Sequence, residues 1–318
     1  MFCTTIIPTI GRNTLDRAVE SVLGQTLDQP FEIIVVNDSG RPLPTAAWQR
    51  ATRVRVIHTQ RRERSVARNA GAAMASGKYL HFLDDDDWLL PRALDVFWDL
   101  AQEHSAAWLY GAAQLTDAGG RCLFQFDHQL SGNCLTQVLA GEWVPLQASI
   151  IASTVFFAVG GFDNQLSWVE DKDLLVRIAW GYDLAGTSEP VAGILRGVWD
   201  SSTDWSAIQK WWQRSREAVL SEPGTLFRLR AGANNSYWQG RWLRVYLLSA
   251  WWNLRRRRGL ATLSRLLGAS AALMLSGSHT LSADYWRALT RPHCTAGFVP
   301  ATPPAAKAFD PVHLRLVG

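Results

Sequence analysis

At 318 residues, 47% apolar and 19% charged, the chain has a globular composition with room for one large core, which excludes an intrinsically disordered protein. A formal net charge of +4 is too small to call for nucleic acid as the partner. The four cysteines are scattered, with no C-x-x-C pair and no zinc spacing, so free thiols in a reducing compartment are expected. Residues 2–7 are a short apolar run without the basic start and longer apolar core of a secretion signal. The most apolar later stretch, residues 260–275, is interrupted by Arg265 and by Ser and Gly, short of the roughly 20 apolar residues of a spanning helix. The expectation is a cytoplasmic protein, with peripheral contact at a membrane surface left open.

In chain order, residues 3–7 form a β-rich run ending at Pro8, and Asn13 or Thr14 can cap a helix with Leu15, Ala18, Val19, Val22 and Leu23 on one face. Residues 31–36 are almost continuously apolar, suited to a strand buried on both faces, and Asn37-Asp38-Ser39-Gly40 stops them with turn chemistry. Residues 54–58 read as a third strand, residues 65–76 as an Ala-rich helix ended by Gly77, and residues 78–83 as a fourth strand running into four aspartates. Pro91 opens a further helix to about Glu103. This alternation predicts an α/β fold, a mainly parallel sheet flanked by helices.

Residues 106–111 and 121–126 look like a hairpin joined through Asp117-Ala118-Gly119-Gly120. Residues 149–159 are another apolar run, closed by Gly160-Gly161, and residues 170–180 form a helix with an acidic first turn. Nine of the sixteen tryptophans lie from Trp199 onward, where the pattern turns helical, and a Pro/Ala-rich tail begins near Arg291. The expected division is a domain over 1–200, with halves 1–110 and 111–200, a helical Trp/Arg-rich region over 201–290, and a tail over 291–318.

Asp84-Asp85-Asp86-Asp87 is the strongest chemical signal. Carboxylates this close repel one another, and a hard divalent cation, Mg²⁺ or Mn²⁺, relieves that repulsion while accepting substrate phosphates. In open α/β sheets the ligand crevice lies at the carboxyl ends of the strands, where these residues fall. A solvated acidic loop before Pro91 is the bland alternative, and the buried strand leading into it favours the metal. Asp38, also at a strand end, can accept hydrogen bonds from a base or ribose, or it can make an Asx turn with Ser39-Gly40. Arg61, Arg62, Arg64 and Arg68 form a run of the kind usually found on a solvated face; Arg68 is the best candidate to reach a ligand, being followed by small residues that allow close packing on the sheet. Glu170, Asp171 and Asp173 open a helix, where a carboxylate can serve as general base or simply stabilise the helix dipole.

Five ordered motifs carry a resemblance to the family 2 glycosyltransferases. They are Ile6-Ile7-Pro8-Thr9; Val36 through Gly40; Ala67-Arg68-Asn69 with Gly71; Phe82-Leu83-Asp84 with Asp86, Asp87, Trp88 and Pro91; and Gly160 through Asp163 ahead of Glu170-Asp171 and Arg177. The resemblance implies the GT-A fold, with a Rossmann-like nucleotide-binding half and an acceptor half. It implies that Pro8, Thr9, Asp38, Arg68, Asp84 and Asp85 hold a nucleotide-sugar donor, and that Asp86 binds a divalent cation on its diphosphate. Asp171 would be the base toward a carbohydrate or lipid-linked acceptor, Glu170 would orient acceptor or loop, and a single sugar would move with inversion, from a UDP-linked donor at the family level. The chain departs from the usual pattern at Ile10-Gly11 and at Glu63, and Gln239-Gly240-Arg241-Trp242 is one residue short of Q-x-x-R-W. Two other readings fit the residues less well. A nucleotidyltransferase needs a Gly-rich phosphate loop that Ile10-Gly11-Arg12-Asn13 does not supply, and a silent scaffold has no need of both acidic groups.

Residues 237–258 combine Trp238, Trp242, Trp251 and Trp252 with six arginines, four of them consecutive. An amphipathic helix resting on an anionic membrane has this composition, and so does a packing helix, toward which the high average burial of Trp tips the balance. Trp205, Trp211 and Trp212 are candidate faces for an acceptor sugar.

Overall fold

The computed structural model describes residues 1–61, 63–127, 130–166, 169–195, 214–215, 217–230, 232–290 and 295–297. Arg62, Trp199, Trp205, Trp211, Trp212 and nearly all of the tail lie outside the described residues. The chain forms two compact units, one of residues 1–133, 143–216 and 295–306, the other of residues 134–142, 217–294 and 307–318.

In the first unit, Cys3–Thr9 (β1), Phe31–Asn37 (β2), Val54–His58 (β3) and Tyr79–Phe82 (β4) lie in the order β4-β1-β2-β3, all parallel. Ile6, Ile7 and residues 33–36 are inaccessible to solvent, as their unbroken apolar run requires of a sheet covered on both faces. Leu15–Leu23 (α1) and Arg64–Ala73 (α2) are the crossover helices. Thr14 stands at the N-cap of α1 without making a side-chain cap, whereas Glu63 caps α2, its two oxygens accepting from the Ser65 and Val66 amides at 3.1 and 2.7 Å. Trp88–Leu89 (β5) follows the aspartates, and the next helix, Ala93–Glu103 (α3), starts two residues after Pro91 because Arg92 adopts φ 64°.

Beyond α3 the sheet becomes mixed. Trp108–Thr116 (β6) and Cys122–Asp127 (β7) form the expected hairpin, after which Leu135–Leu139 (α4) belongs to the second unit. The apolar run of residues 149–159 divides at Ala152 into Ser149–Ala152 (β8) and Ser153–Ala158 (α5). β8 is inserted antiparallel between β4 and β6, with Leu80 opposite Ile151 and Leu109 opposite Ile150. Glu170–Gly181 (α6) leads to Leu184–Leu195 (β9), which pairs parallel to β6 and receives β5 on its other edge.

The second unit is helical: Thr225–Arg230 (α7), Gly232–Arg255 (α8), Gly259–Ser276 (α9) and Ala283–Thr290 (α10). Thr295–Gly297 (β10) returns to the first unit beside β7. α8, α9 and α10 meet through Leu243, Ala269, Ala272 and Tyr285. Arg241, 2% exposed, pairs with Glu142, which also accepts from the Tyr237 hydroxyl at 2.7 Å. α8 is thus a packing helix along one stripe, yet Trp242 and Trp251 are 48% and 42% exposed, so the burial expected of its tryptophans fails at both. The expectation of no spanning-length stretch is also revised: α9 continues through Ser276, and residues 259–281 are long and apolar enough to cross a membrane by length and composition alone.

Candidate functional site

The parallel order places the carboxyl ends of β1, β2 and β4 along one rim, and a cleft of about 290 Å³ opens there. Pro8, Thr9, Asp38, Asp84, Asp85 and Asp86, all anticipated from sequence, line it together with Arg12 and Arg64. The rim is drawn tight by its own hydrogen bonds. The Thr9 hydroxyl donates to Asp85 at 2.6 Å and accepts from the Gly11 amide at 2.9 Å. Asp38 is 3% exposed; it accepts from the Thr59 hydroxyl and from the Arg61 and Glu63 amides at 2.7–2.9 Å, so its carboxylate organises the loop that carries the start of α2. The Asx turn at this position is made by Asn37, whose Oδ1 accepts from the Ser39 amide at 3.1 Å.

Arg68 lies deeper. α2 sits close on β1 because Gly71 faces Ile6, where an added Cβ would come within 2.5 Å of the Ile6 side chain. This brings the Arg68 guanidinium, 3% exposed, between two acids, donating to Asp84 at 2.6 Å and to Glu170 at 2.8 Å. Burial alone would push the Asp84 carboxyl up; Arg68 and Arg64 outweigh it and hold Asp84 below its ordinary range. Glu170 goes the other way, raised by burial and by the charge of Asp171 against the pull of Arg68 and Arg64.

The four aspartates divide their work. Asp85 is 1% exposed and held by Thr9 and the Arg12 guanidinium, which also lies 3.8 Å from Asp86. Asp87 accepts from the Leu195 amide at the end of β9 at 2.8 Å. Asp84, Asp86 and Asp87 each offer a carboxylate oxygen, all within 4.8 Å of one another. Burial and the neighbouring carboxylates raise the carboxyls of Asp86 and Asp87 above their ordinary range, at Asp86 against the opposing pull of Arg12. Three hard oxygen donors in such a cluster fit a divalent cation.

α6 begins under strain. Val169, β-branched, has φ 59° and ψ 21°, in the left-handed region, directly before Glu170-Asp171. Asp171 is half-buried and accepts from the Lys172 amide at 2.8 Å. Asp173 holds the fold: it accepts from Arg177 one turn on and from the Ser215 hydroxyl at 2.7 Å, while Arg177 also donates to the Val159 carbonyl at 2.6 Å.

Sequence reasoning missed Arg12 and Gln147. The Gln147 side-chain amide donates to Asp84 at 2.8 Å, and the Gln147 backbone carbonyl lies 2.9 Å from His81 Nε2; the Thr5 hydroxyl then pairs with Nδ1 at 3.1 Å. His81 is fully buried, and burial lowers its pKa from 6.5 to about 4. A depressed His contributes stability that is complete above its unfolded pKa and is lost as pH falls toward the folded one. Denaturant titrations from pH 7 to pH 4 should therefore lose about 3 kcal/mol that a His81→Asn variant does not lose. A parallel loss in both proteins would remove His81 as the cause.

Residues 4–121 match Glycosyl transferase family 2. An uncharacterized glycosyltransferase of Rickettsia bellii is 27% identical over 201 residues, 61% of this chain and 29% of that protein. The poly(ribitol-phosphate) beta-N-acetylglucosaminyltransferase TarP of Staphylococcus aureus is 25% identical over 177 residues, 54% of this chain and 50% of TarP. The chain spans about a third of the length of the first curated relatives it matches, 29–32%. Among solved structures, residues 1–349 of S. aureus TarS in complex with UDP-GlcNAc superpose with a TM-score of 0.55, covering 83% of this chain and 89% of that one at 13% identity. That likeness establishes a shared fold.

Proposed function

We propose that this chain, whose residues 4–121 match glycosyltransferase family 2, transfers a single sugar from a nucleoside diphosphate sugar to an acceptor hydroxyl with inversion. The observation that carries the reading is the cleft at the ends of β1, β2 and β4, where Pro8, Thr9 and Asp38 meet the aspartates. The pyrimidine or purine and ribose would lie along Thr9 and Asp38, with Asp84 and Asp85 toward the ribose and sugar. Arg68 acts as a positioning residue, fixing Asp84 on the donor side and Glu170 on the acceptor side with one guanidinium. UDP is the favoured nucleotide, since TarS on the same fold is described with UDP-GlcNAc.

Asp86, with Asp84 and Asp87, would hold Mg²⁺ or Mn²⁺, which when bound supplies positive charge to the departing diphosphate. Asp171 takes the proton of the acceptor hydroxyl as that oxygen attacks the anomeric carbon. The bond from that carbon to the diphosphate oxygen breaks on the opposite face, and its electron pair leaves with the nucleotide. Glu170 orients the start of α6. A carbohydrate or lipid-linked acceptor fits this chemistry, the latter with the protein peripheral on a membrane.

Calorimetric titration with a panel of nucleoside diphosphates, with Mn²⁺ and with chelator, tests the donor site. One nucleotide should bind with Mn²⁺ and weaken at least tenfold in chelator or in Asp86→Ala, the loss of about 1.4 kcal/mol or more. Equal binding by wild type and variant in both conditions would remove Asp86 from the metal site.

A further inference from the structure

α9 is amphipathic in the reverse sense for a helix in water. Its packing stripe toward α8 consists of small residues, Thr262, Ala269, Ala272 and Ser276, with Gly268 against the Tyr246 ring, where an added Cβ would come within 2.4 Å of the ring. The hydroxyls of Thr262 and Ser276 are satisfied by carbonyls one turn back in the same helix, at 3.0 and 2.7 Å. Its large apolar side chains point away: Leu260, Leu263, Leu266, Leu267, Met274 and Leu275 are between 46% and 88% exposed. Small residues inside and leucines outside are the arrangement of helices whose surroundings are hydrocarbon.

Charge says which hydrocarbon surface. Residues 232–281 hold seven arginines and no Asp or Glu. Arg241 is buried with Glu142, while residues 255–258 at the α8–α9 turn and Arg265 on α9 itself are exposed. Arg255 stacks over the exposed Trp251 ring at 4.3 Å, at the end of α8 that leads into the turn. The cationic turn leads directly into the outward leucines of α9, a helix of about 27 Å.

We infer that α9 lies along an anionic bilayer surface, its Leu/Met face in the acyl boundary and residues 255–258, at its N-terminal end, on the lipid phosphates. This deepens the reading of a lipid-linked acceptor and rests on it for its purpose, but vesicle binding requires neither donor nor acceptor, so either proposal can fail without the other. The full chain should float with phosphatidylcholine vesicles containing phosphatidylglycerol and far less with phosphatidylcholine alone. Arg256→Ala with Arg257→Ala should weaken anionic binding about thirtyfold, from about fivefold per arginine. Leu263→Ser with Leu267→Ser should weaken it by roughly tenfold or more while leaving nucleotide affinity unchanged. Three outcomes would overturn the inference: no flotation with anionic vesicles; retention through alkaline carbonate, which would make α9 a spanning helix; or a discrete oligomer that the leucine variant dissolves, which would seat a second copy on this face.

Discussion

Asp171→Asn is expected to slow sugar transfer about 10³-fold, the central size of a general-base contribution, while nucleotide binding stays at the wild-type level. The isosteric amide keeps the volume and polarity of the side chain at the start of α6 but cannot accept a proton. The rate can be read as release of nucleoside diphosphate from whichever nucleotide sugar corresponds to the diphosphate that binds, and affinity from the calorimetric titration already described. The split between the two readouts is what identifies a base. A residue that only holds the fold would lower both, and near wild-type turnover would move the base elsewhere. Glu170→Gln makes the contrast: Glu170 is buried and ion-paired with Arg68, so its variant should lose stability as well as rate.

Arg68→Met should cost about 3–5 kcal/mol of folding stability, because it leaves Asp84 and Glu170 facing each other without the cation that joins them. Methionine fills much of the same space, so cavity formation is a small part of the effect. Chemical denaturation at pH 7 measures the loss. Its pH dependence carries the sign: Arg68 helps to hold Asp84 below its ordinary pKa, a contribution present above the unfolded pKa and lost as pH falls through the folded one. The deficit of the variant should therefore shrink in acid. Arg68→Lys, one ammonium in place of a two-pronged guanidinium, should fall between the two proteins, and a deficit independent of pH would mean that packing, not charge, is what Arg68 supplies.

The half of the sheet built from β1 to β4 was readable because each strand is a near-continuous apolar run bounded by turn residues, and because the aspartates follow β4 without a gap. β9 was not. Its Gly186, Glu189, Pro190 and Gly193 break any strand pattern, and it is held instead by pairing with β6, which shifts register between Tyr110 and Ala113. The same distinction runs through the site. Thr9, Asp38 and the aspartates stand at strand ends that local sequence defines. Arg12 and Gln147 reach Asp85 and Asp84 across 73 and 63 residues, contacts that only the assembled sheet creates. The sense of α9 was hidden for another reason: composition reveals that a helix is apolar, not which stripe its neighbour takes.

The insertion of β8 between β4 and β6 bears on how the chain folds. Without residues 149–152 the edge of β4 is bare, and without Glu170 the Arg68 guanidinium has one acid in place of two, although 102 residues separate that pair. Closing a loop of that length is slow relative to forming α2 on β1, so the donor rim should be among the last features to mature, and a nascent chain released near residue 110 would present an unpaired strand and an unfinished pocket. The two halves of the sheet are consequently one cooperative unit, and expression of the first alone should yield aggregate, not a nucleotide-binding fragment.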